Sequence, residues 1–131
     1  MLVNPAQVNE ITRVVIGCAI RVHRALGPGL LESAYTVCLA IELAHVSMRF
    51  ATRVPVPLVY RGIRTDVAYW LDFLIDDRVV VELKCVEALA PIHTAQLLTY
   101  LRLTSKPAGL LINFNVPILK NGIKRVLNTK E

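Results

Sequence analysis

The chain has 131 residues, 54% of them hydrophobic, and a formal net charge of +5. That much apolar material supports one core, so a single soluble domain covering residues 1–131 is expected. No apolar run approaches the roughly 20 residues needed to cross a bilayer, and the start, Met1-Leu2-Val3-Asn4-Pro5, lacks the regions of a signal peptide. Cys18, Cys38 and Cys85 are odd in number, widely spaced and set in apolar segments. They read as small buried hydrophobes of a reducing, cytoplasmic compartment, and they are too few for an iron–sulfur cluster. The basic excess suits a polyanionic partner but is too modest to demand one.

Asn4-Pro5-Ala6-Gln7 has the form of a helix start, with Asn as cap and Pro at the first helical position. Ile11, Val15, Cys18, Ala19, Val22 and Leu26 then recur at helical spacing until Gly27-Pro28-Gly29. A second helix is expected from about Leu30 to Val46. Leu31, Ala34, Cys38, Ile41 and His45 form one of its stripes, and Glu32, Tyr35, Leu39 and Glu42 a neighbouring one. His23 and His45 are assigned to helix surfaces. From Phe50 to Tyr60 the pattern becomes β, and Pro55 and Pro57 mark an edge or bent strand. Arg61-Gly62 turns the chain towards a strand over Val67–Ile75, and Asp76-Asp77-Arg78 turns it again into Val79–Val86. After Pro91 a helix is expected over about Ile92–Leu103, followed by a buried-type strand Gly109–Phe114 and a further strand at Ile123–Leu127. Strands interleaved with helices in this order imply an α/β fold with a mixed sheet and a right-handed crossover.

The segment Val79-Val80-Val81-Glu82-Leu83-Lys84-Cys85-Val86 is the informative one. A strand alternates its side chains, so Glu82 and Lys84 project on the same face. Two charges in an apolar strand are costly unless they pair, bind a metal, or both. If the turn places Ile75 opposite Val79, the register brings Asp72 opposite Glu82, with Cβ atoms roughly 4.5–5.5 Å apart. A divalent cation between two such carboxylates converts repulsion into binding, and Mg²⁺ accepts one or two carboxylates with waters completing its octahedron. The metal would polarise a phosphoryl oxygen and activate a water, while Lys84 could orient that water or neutralise developing charge. Glu32 would be a further ligand if the second helix lies across this face of the sheet. His93, Gln96 and Tyr100 share a face of the third helix; Gln96 could hold a water or phosphate, and Tyr100 could stack on or hydrogen-bond to a substrate. Taken singly, each of these residues is an ordinary ion pair or helix position; the hairpin-matched trio Asp72, Glu82 and Lys84 outweighs that reading.

Asp72 followed by Glu82-Leu83-Lys84 resembles the D…(D/E)-x-K signature of the PD-(D/E)XK nuclease superfamily, with Leu71 in place of the proline of its name. Gly29-Leu30-Leu31-Glu32-Ser33-Ala34-Tyr35 resembles the motif of the GxxExxY family, a branch of small proteins within it. Gln96-x-x-x-Tyr100 is similar to the helix motif of RecB-type exonucleases. The resemblance runs from about Glu10 to Asn128. It implies a restriction-endonuclease-like α-β-β-β-α-β core, with Glu32, Asp72 and Glu82 as metal ligands and Lys84 as catalytic lysine. The expected protein is therefore a cytoplasmic, Mg²⁺- or Mn²⁺-dependent deoxyribonuclease, with RNA left open as a substrate. The rivals are a nuclease-fold module that binds nucleic acid or protein without cleaving, and a hydrolase of smaller phosphorylated substrates. The absence of an extra clamping domain leaves room for self-association or a partner protein.

Overall fold

The computed structural model describes residues 4–129; the Met1-Leu2-Val3 start and the last two residues lie outside them. Helix α1 spans Pro5–Leu26, and Asn4 caps it by accepting the Ala6 N–H on Oδ1 at 2.9 Å. Ile11, Val15, Cys18, Ala19 and Val22 form its buried stripe. Leu26, expected on that stripe, is exposed. His23, expected at the surface, is buried, because its Nε2 lies 2.8 Å from the carbonyl oxygen of Val116. The helix stops at Gly27, whose φ of 69° is left-handed backbone that glycine adopts without steric cost.

Helix α2, Glu32–His45, buries Tyr35, Leu39 and Leu43. Its inward stripe is therefore the one that begins at Glu32, whereas Leu31 and Ile41 are 77% and 61% exposed. Tyr35 stacks on Phe114 with ring centroids 4.4 Å apart and donates its hydroxyl proton to the Gly27 carbonyl at 2.5 Å. The same hydroxyl accepts the Leu30 N–H at 3.2 Å. One tyrosine thus holds both ends of the Gly27–Leu30 turn.

Five strands follow: β1 (Phe50–Tyr60), β2 (Ile63–Ile75), β3 (Val79–Lys84), β4 (Ala108–Asn113) and β5 (Ile123–Leu127). They form one sheet in chain order, antiparallel throughout except for the parallel β3–β4 pair. Helix α3, Pro91–Thr104, makes the crossover that a parallel pair requires. It begins with the Ala90 N–H donated to His93 Nδ1 at 2.9 Å, and the His93 N–H returned to the Ala90 carbonyl at 2.9 Å. Gly109 lets α3 approach β4, since a Cβ there would sit 2.9 Å from a Leu97 methyl and 3.0 Å from the Val80 carbonyl oxygen. The architecture is the mixed, restriction-endonuclease-like α/β core that the sequence implied.

Two apolar clusters hold the sheet between its helices. Val79, Val81, Leu83, Leu110 and Ile112 pack with α1 and α2, while Val80 and Leu111 pack with Leu97, Tyr100 and Leu101 of α3. Burying a side chain of this kind contributes about 1.5–3 kcal/mol. Strand β2 changes allegiance partway along: Phe73 belongs to the first cluster and Leu71 to the second. Residues two apart on a regular strand share a face, so the sheet bends at Asp72. Across from it Arg53 has φ 50°, a left-handed conformation that costs about 1–2 kcal/mol outside glycine.

Candidate active site

The bend coincides with a fork in the sheet. The β2–β3 register runs Ile75↔Val79, Leu74↔Val80 and Phe73↔Val81, as the three-residue turn requires, and then the ladder ends. At the next position Asp72 and Glu82 face each other, and their side chains take over from the missing carbonyls. Glu82 Oε2 accepts the Asp72 N–H at 2.8 Å, and Asp72 Oδ2 accepts the Leu83 N–H at 2.8 Å. Each carboxylate thereby satisfies a backbone donor that the opening strands would have left unpaired. The other oxygens, Asp72 Oδ1 and Glu82 Oε1, make no hydrogen bond among the described residues. No fully buried side-chain nitrogen or oxygen among those residues lacks a partner, so these two oxygens reach solvent.

Burial and mutual repulsion dominate the electrostatics. Glu82 is buried, and desolvation followed by the charge of Asp72 pushes its pKa up to about 8. The Asp72 N–H and Lys84 oppose that rise, and Glu32 adds to it. Asp72 is also raised, chiefly by burial, against the pull of the Leu83 N–H and Lys84. Glu32 is raised by partial burial of its carboxyl and then by Asp72, with Lys84 opposing. Tyr100 is raised by burial, then by Glu82, Tyr69 and Asp72, which keeps its phenol protonated. Lys84 is thus the cation that answers three carboxylates.

The third carboxylate arrives by an unexpected route. Helix α2 packs against the Val81 and Leu83 side of β3, across the sheet from the α3 side on which Val80 lies and to which Glu82 and Lys84 belong by alternation. Glu32, at the first position of α2, lies near the C-terminal end of β3, where burial and then the Glu32 charge raise the Cys85 thiol. Among the described residues, no group of three or more His, Cys, Asp or Glu is arranged to hold a metal ion. One oxygen each of Asp72 and Glu82 is committed to the backbone, and Glu32 comes from the other layer.

Tyr100 lies on the α3 side with Glu82, while Gln96 one turn earlier is exposed and makes no hydrogen bond among the described residues. Asn113 is a residue that sequence reasoning missed. It is 1% exposed, accepts the Val86 and Asn115 N–H groups on Oδ1, and donates to the Val86 carbonyl at 2.9 Å. With the Phe114 N–H donated to the Lys84 carbonyl at 3.0 Å, it fixes the backbone that carries Lys84. The only sequence signal was an asparagine closing an otherwise apolar strand.

A mixed sheet forked at an Asp opposite a Glu-x-Lys strand, with helices on both faces, has the build of a restriction-endonuclease-like domain. The family model of the PD-(D/E)XK nuclease superfamily matches residues 9–126, and the chain belongs to that superfamily. Its members are generally hydrolytic nucleases that typically use divalent metals, which implies a nucleic-acid substrate and a nuclease-type function here. No curated protein and no solved structure gave a match.

Proposed function

We propose that the chain is a Mg²⁺- or Mn²⁺-dependent deoxyribonuclease of the GxxExxY branch, with a helix motif of RecB type, working in the cytoplasm as a single domain over residues 1–131. The observation that carries the reading is the Asp72–Glu82 pair at the fork: two carboxylates, one of them buried, each with one oxygen facing solvent. Hard oxygen donors with excess negative charge suit a divalent cation that keeps most of its waters. Asp72 and Glu82 would hold it, with Glu32 as a ligand through water. A cation there would polarise the scissile phosphoryl group and lower the pKa of a bound water.

The chain's own groups do the rest. Lys84, the cation among these carboxylates, orients the attacking water and neutralises charge on the phosphorus oxygens. Tyr100, kept protonated, donates a hydrogen bond to substrate, and Gln96 positions a water or a phosphate at the exposed rim of the site. Asn113 holds Lys84 in place through the backbone.

The test is a cleavage assay with the wild type and Lys84→Ala on single- and double-stranded DNA and on RNA. Lys84→Ala should bind DNA and metal nearly as the wild type does yet cleave about 10²–10³-fold more slowly. A wild type that binds DNA and metal but cuts nothing would replace this reading with that of a non-catalytic binding module. In keeping with both readings, no helix among the described residues is long and apolar enough to cross a membrane.

A further inference from the structure

Beyond the fork, β2 keeps only β1 as a partner. Because the β2–β3 ladder ends at Phe73↔Val81, residues 54–71 form a two-stranded arm, packed at its root on α3 through Val56 and Leu71. All the large exposed aromatic side chains among the described residues lie on this arm: Tyr60 at 68%, Tyr69 at 40% and Trp70 at 48% exposure. Arginines accompany them. The Arg53 guanidinium lies 5.1 Å from the Trp70 ring centroid, and Arg61 and Arg64 are exposed near the tip. Within residues 50–71 three arginines stand against a single acid, Asp66. Tyr69 in turn lies 5.9 Å from Tyr100, which feels the charges of Glu82 and Asp72. The Tyr69 face of the arm therefore leads to the carboxylates, while Trp70, the next residue along the strand, projects on the opposite face with Arg53.

We propose that this arm is a platform for single-stranded nucleic acid, on which unpaired bases stack while the arginines take the phosphates, and that the substrate is DNA with a single-stranded segment. The identification of the substrate rests on the nuclease reading above. Exposed rings gain by stacking on bases that are free, whereas bases in a duplex are already stacked, and alternating aromatic and basic groups are what sequence-tolerant strand binding uses. A second copy of the chain fits less well. β1 is the edge strand, and Pro55 and Pro57 remove the N–H groups that strand addition would use. Two such basic arms would also repel each other.

Trp70 is the sole tryptophan, so its fluorescence reports directly on the platform. In EDTA, a short single strand should quench it and bind more tightly than the blunt duplex of the same sequence. Trp70→Ala should weaken single-strand binding roughly tenfold or more, measured by anisotropy of labelled strand, and Trp70→Phe should recover most of the loss. Arg61→Glu with Arg64→Glu should flatten the salt dependence by roughly 0.7 log units for each contact removed. Melting curves identify any variant that has merely lost its fold, and the arginine pair then decides. The proposal is overturned by equal affinity for strand and duplex without quenching, by indifference to all these variants, or by self-association that Trp70→Ala abolishes. Cleavage of the same strands in Mg²⁺ is scored separately. Binding without cutting refutes the nuclease and keeps the platform, whereas cutting without any Trp70 effect refutes the platform alone.

Discussion

The two sides of β3 are bounded by contrasting seams. Towards β4, six residues pair without interruption, Val79↔Ala108 through Lys84↔Asn113, and nearly every side chain is buried. Towards β2, pairing ends after three residues and carboxylates substitute for the missing carbonyls. The first seam is stabilised by apolar burial; the second places negative charge where only Lys84 answers it. One strand therefore serves both as the centre of the core and as the wall of the site. The apolar seam gives the rigidity that a poorly compensated charge cluster needs.

The sharpest way to break this contrast is to damage the apolar seam alone. Leu110 is fully buried at its centre, and Leu110→Ala should destabilise the protein by about 2–5 kcal/mol in denaturant melts. Lys84→Ala, by contrast, should leave stability much less affected while removing most of the cleavage.

The charged seam predicts an unusual pH dependence. The pKa of Glu82 is raised to about 8, so in the metal-free protein the folded state holds a proton that the unfolded state releases near pH 4.5. Stability should therefore fall as pH rises between those values, with Asp72 and Glu32, also raised, acting in the same direction. Melting temperatures in EDTA from pH 5 to 9 should decline, and Glu82→Gln should flatten the decline. A bound cation should restore stability at the alkaline end, by about 2.7 kcal/mol at a hundredfold excess over its dissociation constant. A melting temperature indifferent to millimolar Mg²⁺ and Mn²⁺ at pH 8 would refute the metal site.

The smallest expected effect concerns the tyrosine of the G-x-x-E-x-x-Y segment. Tyr35 is buried against Phe114, and its hydroxyl is spent on the Gly27–Leu30 turn. Tyr35→Phe should cost about 1 kcal/mol of stability and leave the cleavage rate of the folded protein unchanged. A loss of rate at full folding would move Tyr35 from structure into chemistry.

Much of this was legible in the chain itself. A three-residue turn between strands of strict alternation admits few registers, which is why Asp72 and Glu82 could be set opposite each other from sequence. The turns at Arg61-Gly62 and Asp76-Asp77-Arg78 were equally plain, since Arg61, Gly62, Asp76 and Asp77 all adopt positive φ. Less legible was the true start of β2 at Ile63, because Thr65 and Asp66 interrupt the apolar pattern. Thr65 compensates by donating its hydroxyl proton to the Leu58 carbonyl beside the register shift at Pro57 and Val59. The inward stripe of α2 was hidden because both stripes mix apolar and polar residues, and packing against Phe114 selects Tyr35. His23 was hidden because its partner, the Val116 carbonyl, lies far along the chain.

The parallel β3–β4 pair also dictates an order of assembly. Strands β1, β2 and β3 are joined by tight turns and can pair as soon as they exist, but the inner edge of β3 must wait for α3 and β4. During synthesis Asp72 emerges on β2, and Glu82 and Lys84 on β3, whose valines still lack a cover, while Gln96, Tyr100 and Asn113 are yet to be made. Non-local parallel pairing is slow and leaves such strands open to aggregation. A nascent or truncated chain ending before β4 would therefore carry the charges of the site without the wall that holds them. On this topology the Asp72–Glu82–Lys84 cluster gains its full surroundings only late in folding.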